Sequence, residues 1–229
     1  MSSNARDELI GALAAETPAS GPGFTLVAVD GVDGSGKTTF AAAYAVALAA
    51  LGHPVVLIHA DDFLNLRAVR HRRGRDSPEG FWLDSYDYAA LERDVLVPFG
   101  PQGDGAYRAA ASDHRLNVPL DFPRVQAGSG TLCIVEGMFL HRDELAPRWD
   151  YSVFLDVPFA ETARRMALRD GTPADPEHPD MGRYVQGQRL YFADASPWLR
   201  ATQVVDNTDP AAPRLMPNQG NVHLPTDAP

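Results

Sequence analysis

Short apolar runs alternate with longer segments that carry helical signals over most of the chain. Five runs of four to seven apolar-rich residues predict buried strands: Phe24–Asp30, Val55–His59, Thr131–Val135, Ser152–Asp156 and Gln203–Asp206. Five further segments predict helices: Asp7–Ala15, Thr38–Leu51, Tyr88–Val97, Phe159–Arg169 and Gly182–Ala193. Strands that alternate with helices are typical of a parallel sheet covered on both faces, so the pattern predicts an α/β fold.

Several segments between these elements lack a regular hydrophobic period. We expect a charged loop over Asp61–Arg75, which Glu79–Tyr86 continues. Pro101–Pro123 is rich in Gly and Pro, and we expect a hairpin there around Tyr107 and Arg115. Gly171–Asp180 is rich in Pro and Asp, and we expect it to be mobile. The chain is rich in Pro, Ala and Asn from Asp209 onward. We therefore expect one domain over residues 1–208 and a flexible tail over residues 209–229.

A phosphate-binding motif lies between the first predicted strand and the helix that follows it. Gly31–Thr38 matches G-x-x-x-x-G-K-S/T at every fixed position. Glycines let successive backbone N–H groups approach phosphate oxygens, and the helix N-terminus adds a partial positive charge. Lys37 is expected to reach the β- and γ-phosphates of ATP, and the Thr38 hydroxyl to bind Mg²⁺. The predicted nucleotide-binding residues are Gly31, Asp33, Gly34, Ser35, Gly36, Lys37, Thr38 and Thr39.

Acidic residues stand at or just past the ends of four predicted strands, namely Asp30, Asp61, Glu136 and Asp156. Because the carboxyl ends of parallel strands meet at one edge of a sheet, we expect these groups on one rim of the active site. Phosphoryl transfer to an alcohol needs a base near the hydroxyl. Asp61 or its neighbour Asp62 supplies that base, while the other orients the acceptor or binds metal through water. Glu136 suits a water-mediated Mg²⁺ contact or acceptor positioning; these carboxylates also fit simple capping roles.

The composition narrows the class of protein. The 229 residues include 30 acidic and 20 basic side chains, a net charge of −10, which argues against nucleic acid or an anionic membrane as the main partner. A single cysteine, Cys133, in a buried strand excludes an internal disulfide and is compatible with a cytoplasmic location. Lys37 is the only lysine, so the N-K-x-D motif that GTPase switches require is absent.

The chain resembles the uridine kinase-like family, which includes uridine/cytidine kinases, phosphoribulokinase and pantothenate kinase. The resemblance spans roughly Phe24–Asp206 and rests on motifs in the family's order: the phosphate-binding motif, Asp61-x-Phe63, Val135-Glu136-Gly137, and Phe154–Asp156 leading to Arg165 and Leu168-Arg169-Asp170. It implies a P-loop NTPase three-layer sandwich with a mostly parallel sheet and a mobile lid.

The resemblance also implies roles for individual residues. Asp61 resembles the catalytic carboxylate, and Asp84 the acidic group that binds ribose hydroxyls in uridine kinases. Arg165 and Arg169 resemble arginines that close over the phosphates, and Arg183 is expected to complete that lid. Two further residues, Tyr107 and His114, lie where uridine kinases build the base pocket. Leu64 departs from the Tyr common in uridine kinases, and the basic loop Arg67–Arg75 leaves room for an acidic acceptor.

The sequence therefore predicts an ATP-dependent phosphotransferase that uses Mg²⁺ and acts on a hydroxyl of a small molecule. A nucleoside kinase of the uridine/cytidine type is the leading hypothesis. A kinase for pantothenate or a sugar derivative, and a non-catalytic nucleotide-binding switch, are the alternatives. The sequence leaves the oligomeric state open, a homo-oligomer included.

Overall fold

The computed structural model describes residues 5–19 and 21–217. Its centre is a six-stranded sheet in the order β10-β9-β8-β1-β7-β2. All neighbouring strands run parallel except β10, which pairs antiparallel with β9. The strands of this sheet are β1 (Thr25–Gly31), β2 (Val55–His59), β7 (Leu132–Gly137), β8 (Tyr151–Asp156), β9 (Gln203–Asp206) and β10 (Arg214–Met216). The predicted α/β fold with a mostly parallel sheet is confirmed.

Alternate side chains of the central strand enter two separate hydrophobic cores. Leu26 and Ala28 of β1 belong to one core, and Val27 and Val29 to the other. This is the period of two that a strand imposes when both faces of its sheet are covered.

Helices cover both faces of the sheet. They are α1 (Ala5–Glu16), α2 (Lys37–Ala50), α3 (Arg67–Arg70), α4 (Pro78–Asp84), α5 (Tyr88–Leu91), α6 (Phe159–Asp170), α7 (Gly182–Ala195) and α8 (Pro197–Arg200). The core that contains Val27 includes Leu13 of α1 and Tyr44 of α2, whereas the core that contains Leu26 includes Trp82 of α4 and Tyr191 of α7. Helices therefore lie on both sides of the sheet.

The segment after β2 is more helical than expected. A 3₁₀ turn (Ala60–Phe63) and helices α3 and α4 occupy the region where the sequence predicts irregular loop. α4 begins with a local signal, because the Ser77 hydroxyl accepts a hydrogen bond from Gly80 N at 3.0 Å and Pro78 occupies the first helical position. The loop prediction over Asp61–Arg75 and Glu79–Tyr86 is wrong at these helices.

The predicted helix Tyr88–Val97 changes type along its length. α5 is followed by a π-helical turn, Glu92–Leu96. The turn contains the buried Asp94, which accepts a hydrogen bond from Arg124 at 2.8 Å. The positive charge of Arg124 thus offsets the cost of burying the Asp94 carboxylate.

The Gly- and Pro-rich region forms two small two-stranded sheets, β3 (Ala106–Tyr107) with β6 (Val125–Gln126) and β4 (Ser112–Asp113) with β5 (Val118–Pro119). The predicted hairpin around Arg115 is present as β4–β5. Tyr107 instead pairs with Val125, farther along the chain.

The C-terminal region extends the sheet. β10 pairs with β9 in the register Arg214↔Asp206, Leu215↔Val205 and Met216↔Val204. Three residues of the expected flexible tail thus join the sheet, the flexibility of the tail stays a prediction, and residues 218–229 lie outside the described part of the chain. No helix in the described ranges is long and apolar enough to cross a membrane. Cys133 is buried and free.

Candidate active site

The phosphate-binding motif forms the turn between β1 and α2. Gly34 has φ +77° and Gly36 has φ +91°, conformations that side chains with a Cβ rarely adopt. A Cβ at Gly34 would lie 2.9 Å from the carbonyl oxygen of Thr162 in α6. Glycine is needed there both for the backbone angle and for the close approach of α6.

Beside this turn, Asp30 is a buried hydrogen-bond centre rather than a group on the rim. Its carboxylate accepts from Gly31 N at 2.7 Å, Leu140 N at 3.1 Å and His141 Nδ1 at 2.8 Å, and from the Tyr191 hydroxyl. The side chain is fully buried. The expectation that Asp30 reaches the active-site rim is wrong, because these donors hold it inside the protein.

A cavity of about 450 Å³ opens over the motif. Most of the predicted nucleotide, catalytic and metal residues line it: Asp33, Gly34, Gly36, Lys37, Thr38, Thr39, Asp61, Glu136, Arg165 and Arg169. Gly31 and Ser35 are buried and do not line it. The ends of β1, β2 and β7 and the helix α6 therefore bring one set of polar groups together.

Within this cavity, Glu136 joins Thr38 to His59. The Thr38 hydroxyl donates to Glu136 Oε1 at 3.0 Å, and His59 Nδ1 lies 2.7 Å from the same oxygen. The hydrogen bond to Glu136 raises the pKa of His59. Hydroxyl and carboxylate oxygens are the ligands that Mg²⁺ prefers, so Thr38 and Glu136 fit an ion that keeps water and substrate phosphate among its ligands. No group of three or more His, Cys, Asp or Glu able to hold a metal occurs in the described residues.

Lys37, at the start of α2, and Asp61, in the 3₁₀ turn after β2, both line the cavity. Lys37 Nζ donates to the carbonyl of Val32 at 2.8 Å, which keeps the ammonium beside the motif. Asp61 is exposed at the cavity, and its Oδ1 accepts from the Tyr86 hydroxyl at 2.9 Å. Burial and then the Asp61 charge raise the pKa of Tyr86, so the hydroxyl keeps its proton and donates. None of the described residues donates to Asp61 Oδ2.

Arg165 connects the motif to the loop after β9. Its guanidinium donates to the carbonyls of Gly34 at 3.2 Å, Asn207 at 2.9 Å and Thr208 at 2.9 Å. Glu161 accepts from Arg165 Nε at 2.8 Å. Arg165 thus ties two walls of the cavity together. Lid closure by this arginine stays a prediction, as does motion of the segment between α6 and α7.

Arg169 lies farther out on α6. Its Nη2 is 3.7 Å from Asp33 Oδ1 and 2.7 Å from Asp170 Oδ2. The side chain is exposed and lines the cavity beside the motif. Its contact with phosphate stays a prediction.

Five predicted acceptor residues do not line this cavity: Asp62, Asp84, Tyr107, His114 and Arg183. Asp84 is 1% exposed, is contacted by Arg72 and accepts from Arg73 Nε at 3.0 Å. Tyr107 packs on Phe99 with ring centroids 5.1 Å apart. These contacts give Asp84 and Tyr107 structural partners, and their predicted substrate contacts remain untested.

Asp62 follows the cavity residue Asp61 in the chain, and neither Asp62 nor His114 lines the cavity. Partial burial raises the pKa of Asp62, and the nearby His114 opposes that rise. Arg183 donates Nη1 to the carbonyl of Arg75 at 2.6 Å and Nη2 to that of Arg70 at 3.1 Å. It therefore holds the basic loop, and a lid role for it remains a prediction.

Some polar residues at the site escape the sequence patterns. Two of them, Tyr86 and His59, contact side chains that line the cavity, and two others, Asn207 and Arg6, line it themselves. Arg6 Nη2 donates to the carbonyl of Thr39 at 3.1 Å. Asn207 Nδ2 donates to the carbonyl of Ser35 at 2.7 Å. Tyr86 lies two residues after Asp84, and a hydroxyl so close to a candidate carboxylate is the sequence signal that could have found it.

The chain resembles known kinases in sequence. Thymidylate kinases from two strains of Xylella fastidiosa are 32% identical to it over 158 residues, which cover 65% of this chain and 65% and 68% of theirs. The chain belongs to the P-loop kinases. The matched region of this P-loop kinase covers about two thirds of the length of those relatives. No protein-family model matches it.

The fold is also similar to those of solved kinase structures. A possible uridine kinase from Bacillus stearothermophilus superposes with a TM-score of 0.68 at 22% identity, over 87% of this chain and 96% of that one. A putative fructose transport system kinase from a Silicibacter species gives a TM-score of 0.65 at 25% identity, over 83% and 95%. The predicted uridine kinase-like P-loop fold is confirmed, and with it a nucleotide-binding transferase.

Proposed function

We propose that this P-loop kinase transfers the γ-phosphoryl group of ATP to a hydroxyl of a small molecule. The observation that carries the proposal is the placement of Asp61 in the same cavity as Lys37 and Thr38. Phosphate-binding groups and a carboxylate base must meet there for a hydroxyl to be phosphorylated.

Asp61 is the proposed base. Tyr86 occupies Oδ1 and thereby orients the carboxylate, which leaves Oδ2 for the acceptor. The acceptor hydroxyl gives its proton to Asp61, and its oxygen forms a bond to the γ-phosphorus. The bond from that phosphorus to the bridging oxygen breaks, and the electron pair leaves with ADP.

The remaining cavity groups bind and orient the phosphates. Backbone N–H groups of the motif and the Lys37 ammonium hold the phosphate oxygens. Thr38 and Glu136 would hold Mg²⁺, which neutralises phosphate charge during transfer. Arg165 keeps the motif and the loop after β9 together, so the nucleotide meets a preformed site.

The names of the similar kinases suggest several different phosphate acceptors. A uridine or cytidine kinase needs a ribose-binding acid, and Asp84, the candidate for it, is already engaged by Arg72 and Arg73. The thymidylate kinase relatives carry a name that implies a phosphate acceptor, which is ionised at neutral pH and needs no base. Asp61 favours a hydroxyl acceptor instead, such as a nucleoside, pantothenate-like or sugar-derived alcohol. A nucleotide-binding switch remains the non-catalytic alternative.

The test is acceptor-dependent ADP release from the full chain with Mg²⁺ and ATP. The panel holds uridine, cytidine, thymidine, thymidine monophosphate, pantothenate, sugars and sugar phosphates. Asp61→Asn and Lys37→Ala are each expected to lower kcat by at least about 100-fold. Asp62→Asn is the comparison variant, because Asp62 is the other candidate base and does not line the cavity, so its loss of kcat is expected to be smaller. Equal losses in the Asp61 and Asp62 variants, or no acceptor that stimulates ADP release, would refute the proposal.

A further inference from the structure

Four arginines, three from the segment after β2 and one from α7, lie together with no acidic partner among the described residues. We name them the arginine cluster: Arg67, Arg70, Arg75 and Arg183. Among the described residues, no carboxylate lies within salt-bridge distance of any of them. The nearby Arg72 and Arg73 differ, because both bind Asp84. In a chain with a net charge of −10, a group of unpaired guanidiniums is a distinctive feature.

The fold holds the cluster in place through backbone carbonyls. Arg183 reaches across from α7 and donates to the carbonyls of Arg75 at 2.6 Å and Arg70 at 3.1 Å. Arg67 Nη2 donates to the carbonyl of Arg115 at 3.1 Å. Arg183 thus acts as a positioning residue, since its terminal nitrogens are used by the loop.

Arg70 differs from the others in what its guanidinium leaves open. Its Nε donates to the carbonyl of Asn65 at 2.8 Å, which ties the guanidinium to the segment that follows Asp61. Its two terminal nitrogens donate to none of the described residues. The side chain is half-buried, so a positive charge is partly removed from water without a protein anion to pair with it.

Electrostatics at this place favours an anion. Burial, then Arg183 and Arg67, lower the pKa of Arg70, while Asp61 is close enough to raise it. Burial and the same arginines lower the pKa of His71, which sits among them. Like charges held this close repel one another, and a bound anion relieves that repulsion. A short series of hydrogen bonds also joins Arg70 to Asp61: Asn65, whose carbonyl accepts from Arg70, donates its Nδ2 to the carbonyl of Tyr86 at 2.8 Å, and the Tyr86 hydroxyl donates to Asp61 at 2.9 Å.

We propose that the acceptor is an anionic alcohol, whose phosphate or carboxylate group binds Arg70 and Arg67 while its hydroxyl lies at Asp61. This inference rests on the proposed kinase function and names its substrate class. The chemistry of transfer is unchanged: the hydroxyl proton goes to Asp61 and the γ-phosphoryl group to the hydroxyl oxygen. The anionic group takes no part in bond making and serves to orient the acceptor.

The cluster is distinct from the nucleotide site. None of its four members lines the cavity over the motif, in contrast to Arg165 and Arg169. Arg70 is therefore expected to act on the acceptor and not on ATP. Kinetics can separate acceptor binding from ATP binding, because a change at Arg70 is expected to raise the KM for the acceptor and to leave the KM for ATP unchanged.

The first experiment compares neutral alcohols with derivatives that carry a phosphate or carboxylate group, using the full chain with saturating Mg²⁺ and ATP. The pairs are glycerol with glycerol 3-phosphate and with glycerate, and ribose with ribose 5-phosphate. An anionic member is expected to exceed its neutral partner in kcat/KM by at least about tenfold, the scale of charge-assisted hydrogen bonds. Phosphate and carboxylate compounds in one series identify which anion is preferred.

Arg70→Gln provides the second arm, with Arg67→Gln as an independent variant if the first fails to fold. Either change is expected to raise the acceptor KM by about 10- to 100-fold while the KM for ATP stays within about twofold. Arg214→Gln, which removes one exposed positive charge on β10, is the matched control and is expected to behave as the unchanged protein. An increase confined to the KM for ATP would overturn the assignment.

A binding measurement separates this inference from the kinase proposal. Calorimetry with glycerol 3-phosphate and glycerate is done with the motif saturated by a non-hydrolysable ATP analogue. Binding that is lost in Arg70→Gln supports the anion site even if no acceptor is phosphorylated, in which case the kinase proposal alone fails. Turnover of neutral acceptors that Arg70→Gln leaves unchanged overturns the anion site alone. Absence of both turnover and Arg70-dependent binding overturns both.

Discussion

The buried carboxylate of Asp30 is expected to be a major source of stability at the phosphate-binding turn. It is 0% exposed and accepts hydrogen bonds from Gly31 N, Leu140 N, His141 N, His141 Nδ1 and the Tyr191 hydroxyl. These donors come from β1, the loop after β7, and α7. Replacing Asp30 by Ala leaves all of them without this acceptor.

The magnitude follows from the cost of orphaned buried donors. Each costs about 1–3 kcal/mol when its partner is removed, although neighbours relax and water enters the space. Breaking a buried charged network in one step costs about 3–5 kcal/mol, against a total stability of about 5–15 kcal/mol for a typical domain. We expect Asp30→Ala to lose about 3–5 kcal/mol of unfolding free energy. Asp30→Asn should lose somewhat less, because it keeps one acceptor oxygen but turns an N–H group toward donors.

Urea unfolding followed by circular dichroism measures the loss. Asp150→Ala is the matched control, because Asp150 is exposed and accepts one bond at the other end of β1, from Leu26 N at 2.8 Å. It should cost about 0.5–1.5 kcal/mol, the value of one net hydrogen bond. If Asp30→Ala costs no more than Asp150→Ala, the buried network does not carry the stability assigned to it.

Three further changes have expected outcomes. Tyr86→Phe should lower kcat about tenfold, less than Asp61→Asn, because it removes only one orienting hydrogen bond; steady-state kinetics measures this. Two arginines lower the pKa of Glu161 to about 2, so its stabilisation is present above the ordinary value of 4.5 and lost as pH falls toward 2. Glu161→Gln should therefore cost about 1 kcal/mol at pH 7 and flatten the acid side of the stability curve in urea titrations. Gly34→Ala should weaken ATP binding at least about tenfold, because its Cβ would meet the backbone of α6, whereas Gly171→Ala, with φ +73° and open space, should not.

Each of these expectations has a result that contradicts it. A Tyr86→Phe loss equal to that of Asp61→Asn would mean that the tyrosine does more than orient the carboxylate. If the acid side of the stability curve were unchanged in Glu161→Gln, a group other than Glu161 would account for the loss of stability at low pH. Equal ATP affinities of the two glycine variants, measured by calorimetry, would show that the close approach of α6 at Gly34 does not shape the nucleotide site.

The sheet and its long helices were predictable because their signals are local. Val55–His59 and Gln203–Asp206 agree with the observed strands at both ends, and the other three predicted strands differ from β1, β7 and β8 by one or two residues at an end. Short α3 and α4 were missed because charged and aromatic residues conceal their hydrophobic period, although Ser77 and Pro78 mark the start of α4. β10 was missed because a three-residue edge strand is stabilised by its partner β9 rather than by its own composition.

The sequence by itself determined the phosphate-binding turn, since eight contiguous residues specify both its backbone and its charge. It also determined that Asp61 and Glu136 stand at strand ends, which the parallel order of β2 and β7 brings to one cavity. Only the tertiary structure decided that Asp30 is buried, that Tyr86 orients Asp61, and that Asp84 is engaged by arginines. Those outcomes depend on contacts between residues up to 161 positions apart, as for Asp30 and Tyr191. No local pattern encodes such a pairing, because it exists only once the sheet and α7 have packed together.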